Sequence, residues 1–122
     1  KDITYSIAAQ NDFTGSMSSF FMQKPSNKIV ETIEESVLWE FEYNRLQSLF
    51  EMNQELSRAV RLFANYGISV MEQRFDDMMF YSAKERYEML LQNRPKVIQN
   101  VPLGMIASYL GITQETLSRI RK

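Results

Sequence analysis

The feature that most constrains this chain is its last stretch, residues 102–122, where two short amphipathic segments flank a glycine. The first segment places its apolar residues on one face: Met105, Ile106, Ala107 and Leu110. Gly111 follows where a chain leaves a helix through positive φ, and Thr113 is a residue type that caps a new helix. Leu117 and Ile120 face inward from that helix. The pattern predicts a helix-turn-helix, with Ile112 as an apolar plug in its turn.

The outer face of the second predicted helix is polar and basic, and consists of Gln114, Glu115, Ser118, Arg119, Arg121 and Lys122. Such a face fits the major groove of DNA. Arg119 can donate two hydrogen bonds to a guanine, and Glu115, one turn away, can accept one from a cytosine. Gln114 can reach a base or a phosphate. The alternative is a surface salt bridge between Glu115 and Arg119, worth about 0.2–0.5 kcal/mol.

The charge distribution supports a nucleic-acid partner at one end of the chain. The net charge is −1 overall, yet residues 94–122 hold five basic residues against Glu115 alone. A basic end on an acidic body is expected when only that end meets phosphates. Four side chains are predicted to contact phosphates: Ser108, Thr113, Arg121 and Lys122. Such contacts position the protein along the DNA but do not distinguish bases.

The composition excludes several kinds of chemistry. The 122 residues contain no cysteine and no histidine, which removes thiolates, the commonest general base and the commonest metal ligand. No pair of carboxylates, serines or lysines stands at a spacing useful for catalysis, so an enzyme is disfavoured. No apolar run is long enough to cross a membrane. The chain begins with Lys1 rather than Met, and we expect it to belong to a longer, cytoplasmic protein.

The opening third of the chain has a β pattern. In residues 3–7 apolar and polar residues alternate, which predicts a half-buried strand. Residues 28–33 and 36–41 are rich in β-branched and aromatic residues and predict two more strands. Turn-forming residues separate these segments.

The spacing of apolar residues becomes typical of a helix near Glu42. Residues 43–50 predict a short helix, and Asn53 is expected to cap a long one. A heptad seam follows in steps of four and three residues: Leu56, Val60, Phe63, Gly67 and Val70. The seam, which breaks at Arg74, predicts a homodimer, and packing within one domain is the alternative.

A capping box at residues 82–85 begins the next predicted helix. Its inward residues are Tyr87, Leu90 and Leu91, and it ends before Pro95. Residues 95–102 predict a linker or a β-hairpin.

The order of these elements resembles the Crp/Fnr family of bacterial transcription regulators. The likeness is strongest where the family's Glu-Thr-x-(Gly/Ser)-Arg motif is matched by Glu115, Thr116, Leu117, Ser118 and Arg119. It implies an α+β fold: part of a cyclic-nucleotide-binding-type β-barrel (jelly-roll) over residues 1–41, a short and a long dimerisation helix over 42–80, and a winged helix-turn-helix over 81–122. It also implies a homodimer on a palindromic DNA site and contact with RNA polymerase. Ser118 beside Arg119 resembles the Fnr-type branch, which implies a TTGAT half-site.

The resemblance places an effector pocket near Gly15, Ser16, Ser26 and Asn27. The family's cyclic-nucleotide-binding members have Gly-Glu at the first pair of positions and Arg-Ser at the second. Because both charged groups are missing, a cyclic phosphate would lose a strong partner, and we expect no cyclic AMP binding in the usual manner. No haem or iron–sulfur ligands are evident in this chain, so the effector stays unknown.

These observations favour a dimeric DNA-binding transcription regulator. The alternative is a protein-interaction module that has kept the fold and lost DNA binding. Glu115 and Arg119 argue against this alternative, because random mutation of a helix face without a function would not favour that pair of residues.

Overall fold

The computed structural model of this chain describes residues 2–122, and its regular secondary structure in that range is helical throughout. The helices are α1 (Met17–Met22), α2 (Tyr43–Met52), α3 (Gln54–Phe80), α4 (Ala83–Asn93), α5 (Pro95–Asn100), α6 (Leu103–Tyr109) and α7 (Gln114–Ile120). The chain forms two compact units. The C-terminal unit comprises residues 2–13 and 72–122, and the middle unit comprises residues 14–71.

The predicted α+β fold is wrong, because residues 2–122 contain no β-strand and therefore no barrel. Residues 3–7, 28–33 and 36–41 are irregular. β-branched and aromatic residues favour a strand only when a neighbouring strand pairs with them. Here Thr4 instead donates its backbone N–H to the Ser108 hydroxyl, 2.9 Å away.

Two helices replace irregular segments that the sequence pattern predicts. The prediction of a linker or hairpin after Pro95 is wrong, because Pro95 begins α5. Proline suits the first helical position because its fixed φ is helical. The N–H that proline lacks would have no acceptor within the helix at that position. Residues 95–102 therefore contain no β-hairpin, and residues 81–122 contain no strand that could form a wing. In the middle unit, Ser16 caps α1, a helix too short to leave a periodic signal in the sequence.

The helices predicted from periodicity are confirmed. α2 begins at Tyr43, and Asn53 caps α3 by accepting a hydrogen bond from the Leu56 N–H at 3.0 Å. Ser82 and Glu85 form the predicted capping box of α4. That helix ends at Asn93, two residues before Pro95.

The C-terminal unit contains the buried core of the described chain. Its members come from α4 to α7 and the turn after α6: Tyr87, Leu90, Val97, Ile106, Ala107, Leu110 and Leu117. Leu91, expected to face inward, is 43% exposed, because it follows Leu90 by one residue and so lies about 100° around the helix.

The middle unit, in contrast, has no buried core among its described residues. None of its described residues is buried. Phe20 makes edge-to-face contacts with Phe21 and Tyr43, with ring centres 5.2 and 5.5 Å apart. Trp39 is 88% exposed in the irregular segment between α1 and α2.

The helices of residues 2–122 lack the combination of length and apolarity needed to cross a bilayer.

Candidate nucleic-acid interface

The turn between α6 and α7 has the geometry predicted for a helix-turn-helix. Gly111 has φ of 71°. Its N–H donates to the Ser108 carbonyl at 3.1 Å, and the Ile112 N–H donates to the Ala107 carbonyl at 3.0 Å. This pair of bonds is a Schellman motif, which satisfies the last carbonyls of α6. A residue with a Cβ is strained at this φ, so glycine fits the position.

The start and the inner face of α7 also match the sequence prediction. The Thr113 hydroxyl accepts a hydrogen bond from the Thr116 N–H at 3.1 Å and so caps the helix. Leu117 is fully buried, and Ile106 of α6 is 1% exposed. The two helices are therefore held together by the best-buried part of the core, which fixes the direction of the outer face of α7.

The outer face of α7 carries the side chains predicted to read bases. Gln114, Glu115, Ser118 and Arg119 are all exposed. Arg119 Nη2 lies 3.4 Å from the Thr116 hydroxyl. The ion pairs of the described residues do not include one between Glu115 and Arg119. Both side chains are therefore available to an external partner.

The four predicted phosphate contacts have different surroundings. Arg121 and Lys122 are exposed just after α7. The Thr113 hydroxyl is used for capping. Ser108 is half-buried on α6 and accepts the Thr4 N–H, although its own O–H remains able to donate.

Two arginines hold the C-terminal end of α6 in place. Arg74, on α3, stacks over the Tyr109 ring at 3.9 Å from its centre and donates to the Tyr109 carbonyl at 3.2 Å. Arg86, on α4, donates to the Leu110 carbonyl at 3.0 Å. Cationic side chains at a helix C-terminus interact favourably with its unpaired carbonyls and with the helix dipole. In the sequence, the only signal from Arg74 is the break in the heptad seam, which does not indicate this role.

Residues 2–13 form an irregular segment that packs against the helices of the C-terminal unit. Arg94 donates to the Ile7 carbonyl and to Asp12 Oδ2, each at 2.8 Å, and Ile7 packs against the core. The Arg94–Asp12 ion pair is partly exposed and contributes little by itself. The sequence pattern predicts a strand at residues 3–7 and not these contacts, because contacts between residues 82 and 87 positions apart leave no periodic signal.

The capping box of α4 changes the ionisation of one carboxyl group. The Ser82 hydroxyl and then the Ser82 N–H, which donates to Glu85 Oε2 at 2.7 Å, hold the pKa of Glu85 below its ordinary value. Hydrogen bonds to a carboxylate favour its charged form. The negative charge in the first turn also suits the helix dipole.

The predicted dimer seam lies on α3 within the middle unit. Leu56, Val60 and Gly67 are half-buried in this single chain. Phe63 and Val70 are 36% and 48% exposed. The seam is thus partly covered within its own unit, and Val70 keeps the larger exposed fraction of these last two apolar residues.

The residues predicted to line an effector pocket do not lie in a barrel, since no barrel forms in residues 2–122. Gly15 has φ of 139° and precedes Ser16, whose hydroxyl caps α1. Ser26 accepts a hydrogen bond from the Lys28 N–H at 2.9 Å in the turn after that helix, and Asn27 is exposed. The prediction that these residues line a barrel is therefore wrong, and the Ser16 and Ser26 hydroxyls serve a local cap and a local turn. Within residues 2–122, no cluster of three or more carboxylates could hold a metal ion.

Comparison with protein-family models, with curated proteins and with solved structures finds no match to this chain.

Proposed function

We propose that this chain is a sequence-specific transcription regulator that binds double-stranded DNA as a homodimer on a palindromic site, as its resemblance to the Crp/Fnr family implies. The observation that carries the proposal is the outer face of α7. Glu115 and Arg119 are exposed there, one turn apart and without an ion pair between them. Their backbone is fixed by the capped start of α7 and by the buried Leu117.

The chemistry of this face suits direct readout. The Arg119 guanidinium matches the O6 and N7 acceptors of guanine, and the Glu115 carboxylate matches the N4 donor of cytosine. Arg121 and Lys122 follow at the end of α7, where they would meet phosphates and orient the helix. Residues 94–122 carry five basic residues and one acidic residue, a balance that favours a polyanion.

The homodimer is supported by the heptad spacing of the seam on α3 and by the apolar surface that Val70 keeps exposed there. A two-fold pair of chains would hold two copies of α7 about 34 Å apart, which is one turn of DNA. RNA polymerase is the further partner that the resemblance implies, and the cytoplasm is the compartment in which a bacterial regulator of this kind works.

The proposal is tested by fluorescence anisotropy with a duplex that contains inverted TTGAT half-sites and with a scrambled duplex of equal length. We expect tighter binding to the palindrome and a steep loss of affinity with salt, because released counterions drive phosphate contacts. Arg119→Ala should cost about 1–3 kcal/mol on the palindrome and relax the preference at one base position.

Arg61→Ala is the matched control, because Arg61 is exposed on α3 in the middle unit and its loss removes the same charge. It should leave base preference unchanged. If Arg119→Ala and Arg61→Ala behave alike, base readout by α7 is wrong. If the native chain binds neither duplex even at low salt, the proposed DNA binding is wrong.

A further inference from the structure

We propose that the C-terminal unit binds a small organic anion in a cleft between the last turns of α3, helix α4 and the C-terminal end of α6. The cleft has a volume of about 150 Å³. A cavity of that size accommodates a molecule about as large as benzene. The ligand is therefore a compact molecule rather than a nucleotide or a peptide.

The lining of the cleft carries a net positive charge. Arg74, Arg86 and Arg94 line it, and Asp77 is the acidic residue among them. Arg94 is paired with Asp12. Across residues 2–122, neither Arg74 nor Arg86 makes an ion pair. Asp77 offsets one of these two charges, so the cleft has an excess of one positive charge, which an anion would balance.

The hydrogen bonds of these two arginines leave donors unused. Arg74 donates Nη2 to the Tyr109 carbonyl. Arg86 donates Nη2 to the Leu110 carbonyl and Nη1 to the Tyr81 carbonyl. The Nε of Arg86 is buried and has no acceptor. Guanidinium forks match carboxylate and phosphate oxygens particularly well, so the Nη and other N–H groups that Arg74 and Arg86 leave unused and the excess positive charge indicate the same chemical group.

The remaining walls of the cleft are largely apolar, and are formed by Met78, Met89, Leu90, Tyr109 and Leu110. Such walls favour an anionic group attached to a short carbon body over a fully hydrated inorganic ion. Asn93 adds one neutral polar side chain. The class of ligand is thus a small carboxylate or phosphate ester with an apolar portion.

The test is isothermal titration of the full chain with benzoate, with phenyl phosphate and with neutral benzamide. We expect benzoate or phenyl phosphate to bind at millimolar concentrations or better, and benzamide not to bind. Whichever anion binds more tightly identifies the headgroup. Arg86→Gln should weaken binding about tenfold or more, because it removes charge-assisted hydrogen bonds.

A second variant keeps the proposal testable if Arg86→Gln does not fold. Asp77→Asn removes the negative charge that lines the cleft and should tighten anion binding several-fold. Asp76→Asn is its matched control, since Asp76 is the neighbouring residue but does not line the cleft. Equal gains for both variants would indicate a net-charge effect and overturn the proposal, as would binding of neither anion to the native chain.

The site is proposed independently of DNA binding, because calorimetry measures the ligand directly. A chain that binds benzoate but no duplex would refute only the proposed function. A chain that binds the palindrome but neither anion would refute only the cleft.

Discussion

The guanidinium carbon of Arg74 lies 3.9 Å from the centre of the Tyr109 ring, and its Nη2 donates to the Tyr109 carbonyl oxygen at 3.2 Å. One side chain therefore holds both the ring and the backbone of the last residue of α6. Arg74 belongs to the part of α3 that lies in the C-terminal unit. The end of the long helix is thus fastened directly to the first helix of the helix-turn-helix.

Arg74→Ala should lower the free energy of unfolding of the C-terminal unit by about 1–2 kcal/mol, since it removes a cation–π contact and a charged hydrogen bond. Urea denaturation followed by far-UV circular dichroism measures the change. Arg61→Ala, an exposed arginine earlier on α3, should stay within about 0.5 kcal/mol of the native chain. Equal stability of the two variants would mean that the Arg74–Tyr109 contact contributes nothing.

Gly111→Ala should destabilise the helix-turn-helix by about 1–2 kcal/mol, because φ is 71° at this position and a Cβ is strained there. The new Cβ would also lie 2.8 Å from Met78 Cε, which can move because it ends a flexible side chain. Adding Met78→Ala should therefore recover little. Gly104→Ala is the control, as its Cβ would meet only Gln114 Oε1 at 3.5 Å. Thermal denaturation showing Gly111→Ala to be neutral would contradict the strained turn.

Glu85→Gln should make stability depend on pH in a defined way. The lowered pKa of Glu85 means that its carboxylate stabilises the folded state above the unfolded pKa. That contribution disappears as the pH falls through the lower folded pKa. The variant should therefore be less stable than the native chain near pH 7, and the difference should shrink as the pH falls below the unfolded pKa of about 4.3, measured by denaturation at each pH.

Ser82→Ala provides the matching control for that pH dependence. Removing the hydroxyl should cost about 1 kcal/mol as a lost helix cap. In this background, Glu85→Gln should have a smaller effect at neutral pH, because the largest cause of the lowered pKa has been removed. If the stability difference between the Glu85→Gln variant and the native chain stays constant from neutral to acidic pH, the capping interpretation is wrong.

Phe63→Glu should convert the proposed dimer into a monomer, because it would place a charge in the apolar seam. Sedimentation velocity measures the mass directly. Leu62→Glu is the control, since Leu62 is the adjacent residue on α3, is 58% exposed and lies about 100° away from the seam. An unchanged mass for Phe63→Glu, or dissociation by both substitutions, would rule out this seam as the interface.

The helix-turn-helix could be predicted from sequence because its determinants are local. Gly111, Thr113 and the apolar positions around Ile106 and Leu117 act within a few residues of one another. Caps, a positive-φ glycine and a helical period each leave a readable mark at short range. The outer face of α7 follows from that register, so the exposure of Glu115 and Arg119 could be predicted too.

The opening third could not be predicted in the same way. Its alternating and β-branched residues indicate strands, yet strands depend on partners from elsewhere in the chain, and in the described residues none pairs with them. The prediction at Pro95 is wrong for a related reason, because the same residue that ends one helix can begin another.

The sequence by itself thus determined the helices of the chain from Tyr43 to Asn93, the capped turn of the helix-turn-helix and the polarity of α7. Only the tertiary structure decided that the first residues pack against the helices, where hydrogen bonds with Arg94 and Ser108 hold them. It also brought Arg74 and Arg86 to the end of α6 and created their cleft. The physical reason is distance along the chain: short-range hydrogen bonds and periodicity are encoded locally, whereas contacts between residues 24 to 104 apart exist only once the core has packed.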